Sequence, residues 1–448
     1  MFGDFRVSIR YAVVAGSVFI LGAGLTRLKT HRGIQSNEAM AVTAAIFVFS
    51  PLVLSWPSMA AGLGFADALF ETISGVTTTG LSTIETLTCK PKTFLFSRAW
   101  MQWIGGLGIV VLSVAAMIEP GLAAKRLDIS EDYEDDLIGS TRTNARRIFI
   151  IYTILTAVSM LLLVATGANW FESMLYAFAA VSTGGFSPHD GSLQGLGSYF
   201  SRTMVIIISM AGGVSLILYG RAYREGWKTL ALDRQLQGFI GAGIAATALT
   251  AFFLWYQDGF HWKSALQHGM LNALSAQSTA GFASTDISQV GDGAKVTLIF
   301  AMAAGGSIGS TAGGIKIFRL LIVFRLLLLV LQRAGAPPNA VLEARISGRR
   351  LEADEIQGVL CIIVAFIGFV AISWFFFIAL GHEPLDSLFE VVSALGTAGM
   401  TTGITSPGLH PLLKGVLCFD MLLGRLEIMA WLVVFYPGTW WGRRRQYS

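Results

Sequence analysis

One short phrase returns four times along the chain, as Val76-Thr77-Thr78-Thr79-Gly80-Leu81, Val181-Ser182-Thr183-Gly184-Gly185-Phe186, Gln277-Ser278-Thr279-Ala280-Gly281-Phe282 and Leu395-Gly396-Thr397-Ala398-Gly399-Met400. In each copy a threonine stands two residues before a glycine and a large apolar residue follows. Repetition of this kind means that one structural unit is used several times over. Adding 105, 201 or 319 to a position in the first unit finds its counterparts: Thr78 maps to Thr183, Thr279 and Thr397, and Gly80 to Gly185, Gly281 and Gly399. Ser74 maps to Ala179, Ser275 and Ser393, and the first and last units also share Phe70-Glu71 and Phe389-Glu390. A small-residue step follows each phrase, at Gly105-Gly106, Gly212-Gly213, Gly305-Gly306 and Leu423-Gly424.

The surroundings of these phrases are too apolar for water. Hydrophobic residues make up 54% of the chain and charged ones 13%, with a mean hydropathy of +0.63, so lipid is the solvent for most side chains. Apolar spans fall at 11–27, 39–58, 99–118, 148–166, 202–220, 237–256, 295–331, 358–380 and 412–436, read against the ~20 residues that cross a bilayer. Four shorter runs, 66–76, 171–181, 265–276 and 385–395, lead straight into the phrases. At ~1.5 Å per residue, ten or so residues reach mid-membrane and no further, which predicts re-entrant half-helices. Their C-terminal ends bring partial negative charge to a common centre, which favours a cation.

The expected fold is an all-α polytopic membrane protein with four pseudo-symmetric helix, pore-loop, helix repeats around one central ion pore, plus one extra N-terminal helix. The predicted units are 1–35 (extra helix), 36–120 (first repeat), 121–235 (second, with its preceding cytoplasmic loop), 236–332 (third, with a gating loop at 305–316) and 333–448 (fourth, with its preceding loop). Arg6 and Arg10 precede the first apolar run, no small-residue cleavage site follows it, and Arg27, Lys29 and Arg32 come next, which reads as a retained helix rather than a removed signal.

Dehydrating an ion explains the residue types. Backbone carbonyls must replace its water, and glycine lets successive carbonyls turn inward. The candidate filter is therefore Thr77, Thr78, Thr79 and Gly80; Ser182, Thr183, Gly184 and Gly185; Ser278, Thr279, Ala280 and Gly281; and Gly396, Thr397, Ala398 and Gly399, with the carbonyls of Thr78, Thr183, Thr279 and Thr397 as ion ligands. Gly396 stands where the other copies have Thr or Ser, so the fourth strand is expected to coordinate less well. Small residues also pack membrane helices, but four in-register copies behind half-helices favour the filter.

A second feature is Gly305-Gly306-Ser307-Ile308-Gly309-Ser310-Thr311-Ala312-Gly313-Gly314-Ile315-Lys316. Five glycines in ten residues do not hold a helix in lipid, and freed backbone groups there must be buried or face water. A hinged gate built from Gly305, Gly306, Gly309, Ser310, Thr311, Gly313, Gly314 and Lys316 is expected, the alternative being a fixed kink. Arg425 and Glu427 fall within the last span, where charge is costly. Arg425 either acts electrostatically in the pore or pairs with Glu71, Glu390 or Glu427; Lys316 either anchors the gate or snorkels to the interface.

The phrases, Gln102-Trp103-Ile104-Gly105-Gly106-Leu107-Gly108-Ile109, the glycine-rich segment and Met421-Leu422-Leu423-Gly424-Arg425-Leu426-Glu427-Ile428 together resemble the Trk/Ktr/HKT potassium transporter superfamily, and within it the TrkH-type subunits of bacteria. The resemblance runs from about residue 35 to the end. It implies potassium as the substrate, uptake across the bacterial inner membrane, a homodimer, and control by a cytosolic ring of TrkA-type nucleotide-binding subunits. It also implies that the glycine-rich segment gates the membrane pore and that Arg425 projects into the path below the filter. Chains of this type carry two helices ahead of the repeats, whereas this one has room for one before residue 35.

Basic residues orient the chain. Lys125, Arg126, Arg142, Arg146 and Arg147; Arg221, Arg224 and Lys228; Arg333, Arg345, Arg349 and Arg350; and Arg443, Arg444 and Arg445 mark cytoplasmic segments and put the C-terminus inside. With nine spans the N-terminus is then external, unless the true start lies upstream. Lys90, Lys92 and Arg98 lie on the opposite side, against the rule. The mixed-charge segments 125–147 and 333–356 read as solvated faces, and the resemblance implies that they are candidate contacts for the regulatory ring. A net charge of +4 without a single basic patch sets nucleic acid aside as a partner. Cys89, Cys361 and Cys418 and six scattered histidines give no disulfide or metal pattern, and the spans hold no hydrolase or nucleotide-binding motif. An enzyme and an organic cofactor are accordingly not expected. Sodium-coupled Ktr-type uptake, and a secondary transporter of another small solute, remain as alternatives.

Overall fold

The computed structural model describes residues 4–25, 27, 36–118, 137–337, 343–346 and 349–436. Helix α1 (Phe5–Leu25) comes first. The chain then repeats one pattern four times: a long helix, a short helix, a loop, and a second helix or pair of helices. These are α2 (Ser36–Ser58), α3 (Phe65–Val76) and α4 (Lys92–Ile118), then α5 (Leu137–Ala165), α6 (Trp170–Val181), α7 (Tyr199–Gly212) and α8 (Leu216–Glu225). After the short α9 (Lys228–Leu232) come α10 (Arg234–Tyr256), α11 (Trp262–Gln277), α12 (Asp292–Ala304) and α13 (Ile317–Ala334). The last set is α14 (Ala353–Ala379), α15 (Pro384–Leu395), α16 (Pro411–Arg425) and α17 (Met429–Phe435). A two-residue hairpin, β1 (Arg345–Ile346) on β2 (Arg349–Arg350), is the sheet among the described residues.

The expected all-α membrane architecture is present. Helices α1, α2, α4, α5, α10 and α14 are long and apolar enough to cross a bilayer. Phe19, Leu161, Phe300 and Phe375 are examples of large apolar side chains on the exterior, as a lipid-facing surface requires. The short helices α3, α6, α11 and α15 instead bury most of their residues, because the longer helices enclose them. Three of them have 12 residues, about 18 Å of helix, well short of a span. Their starts are fixed locally: Asn169 accepts the Phe171 N–H at 3.0 Å, and Glu383 accepts that of Asp386 at 2.7 Å beside Pro384.

Nine crossings were expected, with a break placed only in the third repeat; the structure corrects the number of breaks. The spans 202–220 and 412–436 are also broken, the first into α7 and α8, which meet at 83°, and the second into α16 and α17 at Leu426–Ile428. Glycines explain the first break; at the second, Glu427 and Ile428 both adopt positive φ, at 53° and 63°. Arg425 and Glu427 therefore sit at a helix end and in the turn beyond it.

The small-residue step has a packing reason. A Cβ on Gly105 would collide with the Val76 carbonyl, one on Gly424 with that of Leu395, and one on Gly212 would lie 2.5 Å from that of Val181. In these repeats the second helix rests directly on the last carbonyl of its own short helix. Ion pairs join successive repeats: Lys295 on α12 reaches Asp386 on α15 at 2.7 Å, and Lys414 on α16 reaches Asp67 on α3 at 2.6 Å. The basic residues that broke the charge rule are also engaged: Lys90 donates to the Ala61 carbonyl at 3.0 Å, Lys92 lies over the Phe171 ring, and Arg98 pairs with Glu71. Lys29, Arg32, Lys125, Arg126, the acidic cluster at 131–136 and Arg443 to Arg445 lie outside the described residues, as does the side chain of Arg142.

Candidate functional site

Each short helix runs into the same backbone ending. The cap residue, Thr77, Ser182, Ser278 or Gly396, is still right-handed. The next residue is left-handed: φ is 53° at Thr78, 51° at Thr183, 52° at Thr279 and 48° at Thr397. One residue further on, the N–H returns to a carbonyl five residues back, Thr79 to Ser74 at 2.9 Å, Gly184 to Ala179 at 2.7 Å, Ala280 to Ser275 at 2.9 Å and Ala398 to Ser393 at 2.8 Å. This is a Schellman ending, whose left-handed position is normally glycine. A β-branched residue there is a backbone outlier that costs about 1–2 kcal/mol. The same strained residue recurs in register in all four repeats.

The four hydroxyls differ in what they meet. Thr183 Oγ1 lies 3.3 Å from Thr311 Oγ1, and Thr279 Oγ1 accepts the Gly313 N–H at 2.7 Å. Thr78 Oγ1 and Thr397 Oγ1 are buried and meet no hydrogen-bond partner among the described residues. The cap hydroxyls turn the other way, Thr77 onto the Ile73 carbonyl and Ser182 onto that of Phe178, each at 2.7 Å. What Gly396 lacks is therefore a helix-facing group.

The glycines close the loops into a ring. A Cβ on Gly80 would collide with the carbonyl oxygen of Gly184, one on Gly185 with that of Ala280, one on Gly281 with that of Ala398, and one on Gly399 with that of Thr79. The order runs from first repeat to second, third, fourth and back to first. Each carbonyl approaches the neighbouring loop at a distance that only a residue without Cβ allows. The apolar residues that follow, Leu81, Phe186, Phe282 and Met400, are buried behind the ring.

Against this ring lies the glycine-rich segment 305–316. Its backbone groups, freed from the helix, are taken up by the break between α7 and α8: Ser307 N–H donates to the Gly213 carbonyl at 3.0 Å, Thr311 N–H to that of Gly212 at 3.3 Å, and Leu216 N–H to that of Gly309 at 3.0 Å. Gln277 Nε2 holds the Gly305 carbonyl at 2.8 Å. Gly306 is packed on Ala312 and the Gly213 carbonyl, Ser310 Oγ bonds the Ser307 carbonyl at 2.6 Å, and Gly314 lies on Gly305 at a φ of 73°. Thr311 Oγ1 bridges the Val181 and Gly212 carbonyls, each at 3.0 Å, and a Cβ on Gly313 would strike Thr397 Oγ1 and the Gly396 carbonyl.

Arg425 fastens the segment from the other side. Its Nη1 donates to the Thr311 carbonyl and its Nη2 to the Gly105 carbonyl, both at 2.9 Å, and only 3% of the residue is exposed. The carboxylates considered as its partners are engaged elsewhere: Glu71 by Arg98 at 2.5 Å, Glu390 by Thr401, Thr402 and Thr405, and Glu427 by Arg319. Lys316 is buried, donates to the Ala312 carbonyl and stands 3.9 Å from Glu427, so it does not reach an interface. Arg319 carries no signal in the sequence beyond its place one turn after Lys316, and Gln277 stands there only as the first residue of the third phrase, with no role of its own.

A family model described as TrkH, cation transport protein, matches residues 9–240 and 250–439. The Trk system potassium uptake protein TrkH of Escherichia coli strain K12 is 30% identical over 398 residues, spanning 84% of this chain and 80% of that one. TrkH of Halomonas elongata is 30% identical over 454 residues, spanning 98% and 92%. The crystal structure of the potassium transporter TrkH from Vibrio parahaemolyticus aligns with a TM-score of 0.86 over 97% of this chain and 92% of that one, a likeness of fold at 24% identity. With the model match covering nearly the whole length, the chain belongs to the TrkH family of cation transport proteins.

Proposed function

We propose that the protein takes up potassium across the bacterial inner membrane, with its C-terminus in the cytosol, through a pore whose selectivity filter is the ring of four loops. The observation that carries this is the cyclic contact of Gly80, Gly185, Gly281 and Gly399 with the carbonyls of Gly184, Ala280, Ala398 and Thr79. Around such a ring the carbonyls of Thr78, Thr183, Thr279, Thr397 and their neighbours replace the ion's water. The C-terminal ends of α3, α6, α11 and α15 add partial negative charge at the same centre. Potassium is the substrate; no organic cofactor and no enzymatic step enter. The potassium uptake proteins to which the chain is similar suggest the ion, and the ring supplies a reason for it.

Segment 305–316 acts as the gate. Its contacts with Thr183, Thr279 and Thr397 occlude the inner side of the ring, and the Arg425 guanidinium adds a positive charge there. Opening withdraws the segment from the ring and from Arg425 together. A homodimer controlled by a cytosolic ring of TrkA-type subunits belongs to the same reading and rests on family membership.

Flux into liposomes holding the purified protein tests it, with potassium, rubidium, sodium and lithium compared. Potassium and rubidium are expected to pass and sodium and lithium to lag. Equal rates for all four would remove the filter, and potassium flux that requires sodium would favour Ktr-type coupling.

A further inference from the structure

Seven residues before each strained threonine, the four short helices carry Glu71, Tyr176, Asn272 and Glu390. The residue types differ, yet all four side chains are buried and make the same kind of connection, reaching back to the strand that leaves the ring. Glu71 accepts the Ser82 hydroxyl at 2.9 Å. Tyr176 OH lies 2.9 Å from Ser187 Oγ and donates to the Ser192 carbonyl at 2.9 Å. Asn272 Oδ1 accepts the Ser284 N–H at 2.8 Å and its hydroxyl at 2.9 Å, while Nδ2 donates to Thr285 Oγ1 at 2.8 Å. Glu390 accepts the Thr401 hydroxyl at 2.5 Å, the Thr402 N–H at 2.9 Å and the Thr405 hydroxyl at 2.6 Å.

We infer that Glu71, Tyr176, Asn272 and Glu390 are positioning residues that set the pore's discrimination among monovalent cations by bracing the outgoing strand of each loop. The inference rests on the filter reading above. Buried polar groups find partners in any fold. Here the first partner lies eleven or twelve residues downstream in all four repeats, beyond the glycine each time. The outgoing strands are irregular, so their donors and acceptors need partners from outside the strand, and each brace matches what its strand offers. Carboxylates meet hydroxyls and an N–H, the amide meets both a donor and an acceptor, and the phenol meets a hydroxyl and a carbonyl. Whether discrimination comes from ring width or from carbonyl field strength, it depends on how firmly the carbonyls are held. Glu71 adds a cross-tie, because its partner Arg98 donates onward to the Ser187 carbonyl at 3.2 Å, joining the first brace to the second strand.

The test is the potassium-to-sodium permeability ratio of the full chain in liposomes, for Tyr176→Phe, Asn272→Leu and Glu390→Gln. Each is expected to lower the ratio about fivefold, the factor that one hydrogen bond's net free energy gives, while potassium flux persists. Asn272→Asp keeps the acceptor for Ser284 and offers one to the Thr285 hydroxyl, so it should retain the unmodified ratio; a merely structural role would not sort Asp from Leu by selectivity. If Glu390→Gln fails to fold, Tyr176→Phe, which loses a single hydroxyl, carries the test. An unchanged ratio in folded Tyr176→Phe and Asn272→Leu overturns the brace while the filter stands. If the unmodified chain passes no cation, the filter reading falls and this inference with it.

Discussion

The Arg425 guanidinium donates to the Thr311 carbonyl at 2.9 Å, and through that bond the fourth repeat holds the third repeat's glycine-rich segment against the ring. The second Nη reaches the Gly105 carbonyl at 2.9 Å, so one side chain ties three repeats together. Its place at the C-terminal end of α16 also suits a cation, since that helix end is partially negative.

Replacing Arg425 by Gln removes both the charge and the fork. Charge-assisted hydrogen bonds contribute about 1.5–3 kcal/mol each, so losing the tie should raise basal potassium flux about tenfold or more. The potassium-to-sodium ratio should stay as it was, because the ring keeps its own contacts. Flux assays in liposomes measure both, and unchanged flux from a well-folded variant would take Arg425 out of gating.

Gly313→Ala tests the segment itself. The new methyl would strike Thr397 Oγ1 and the Gly396 carbonyl, so the segment must retreat from the ring. Basal flux should increase, with a stability loss of about 1–3 kcal/mol from overpacking. Gly108→Ala is the matched control: it lies in α4, and among the described residues nothing stands within 4 Å of the added carbon. If the two variants conduct alike, the segment is a packed kink and not a gate.

Spacing made the ring residues legible, because Thr78, Gly80 and their counterparts recur in sequence as well as in space. The strain at Thr78 was not legible, since nothing in local propensity places a β-branched residue at positive φ. Hydropathy also concealed two of the three breaks. It sees 202–220 and 412–436 as continuous, whereas the turn at Leu426–Ile428 contains no glycine and sets Glu427 beside Arg319 and Lys316, a contact distant in sequence that hydropathy does not register. The braces were half visible: Glu71 and Glu390 match as letters, but Tyr176 and Asn272 match only in what they bond.

The seams between repeats yield a stability prediction. Asp386→Asn leaves the Lys295 ammonium, 6% exposed, beside a neutral amide. Removing one partner of a largely buried pair uncovers the desolvation cost of the other, so unfolding free energy should drop by about 1–3 kcal/mol. Adding Lys295→Met should recover much of that loss, and thermal unfolding in detergent reports it. Equal melting temperatures for the native chain and Asp386→Asn would show that the pair contributes nothing to the seam.

Thr78 separates strain from chemistry. Its hydroxyl has no hydrogen-bond partner among the described residues, so Thr78→Val breaks none of their hydrogen bonds and keeps the branched shape. Any transport lost in that variant therefore belongs to the hydroxyl's contact with water or ion. Thr78→Gly removes the hydroxyl and also relieves a φ of 53°, which should stabilise the fold by about 1 kcal/mol. Thr78→Ser keeps the hydroxyl and should transport nearly as the native chain does. The expected pattern is thus opposed: Gly more stable but poorer in potassium flux, Val poorer in flux at unchanged stability. Thermal unfolding and liposome flux measured on the same preparations decide it, and native flux from Thr78→Val would leave the fourfold threonine strain without a chemical reason.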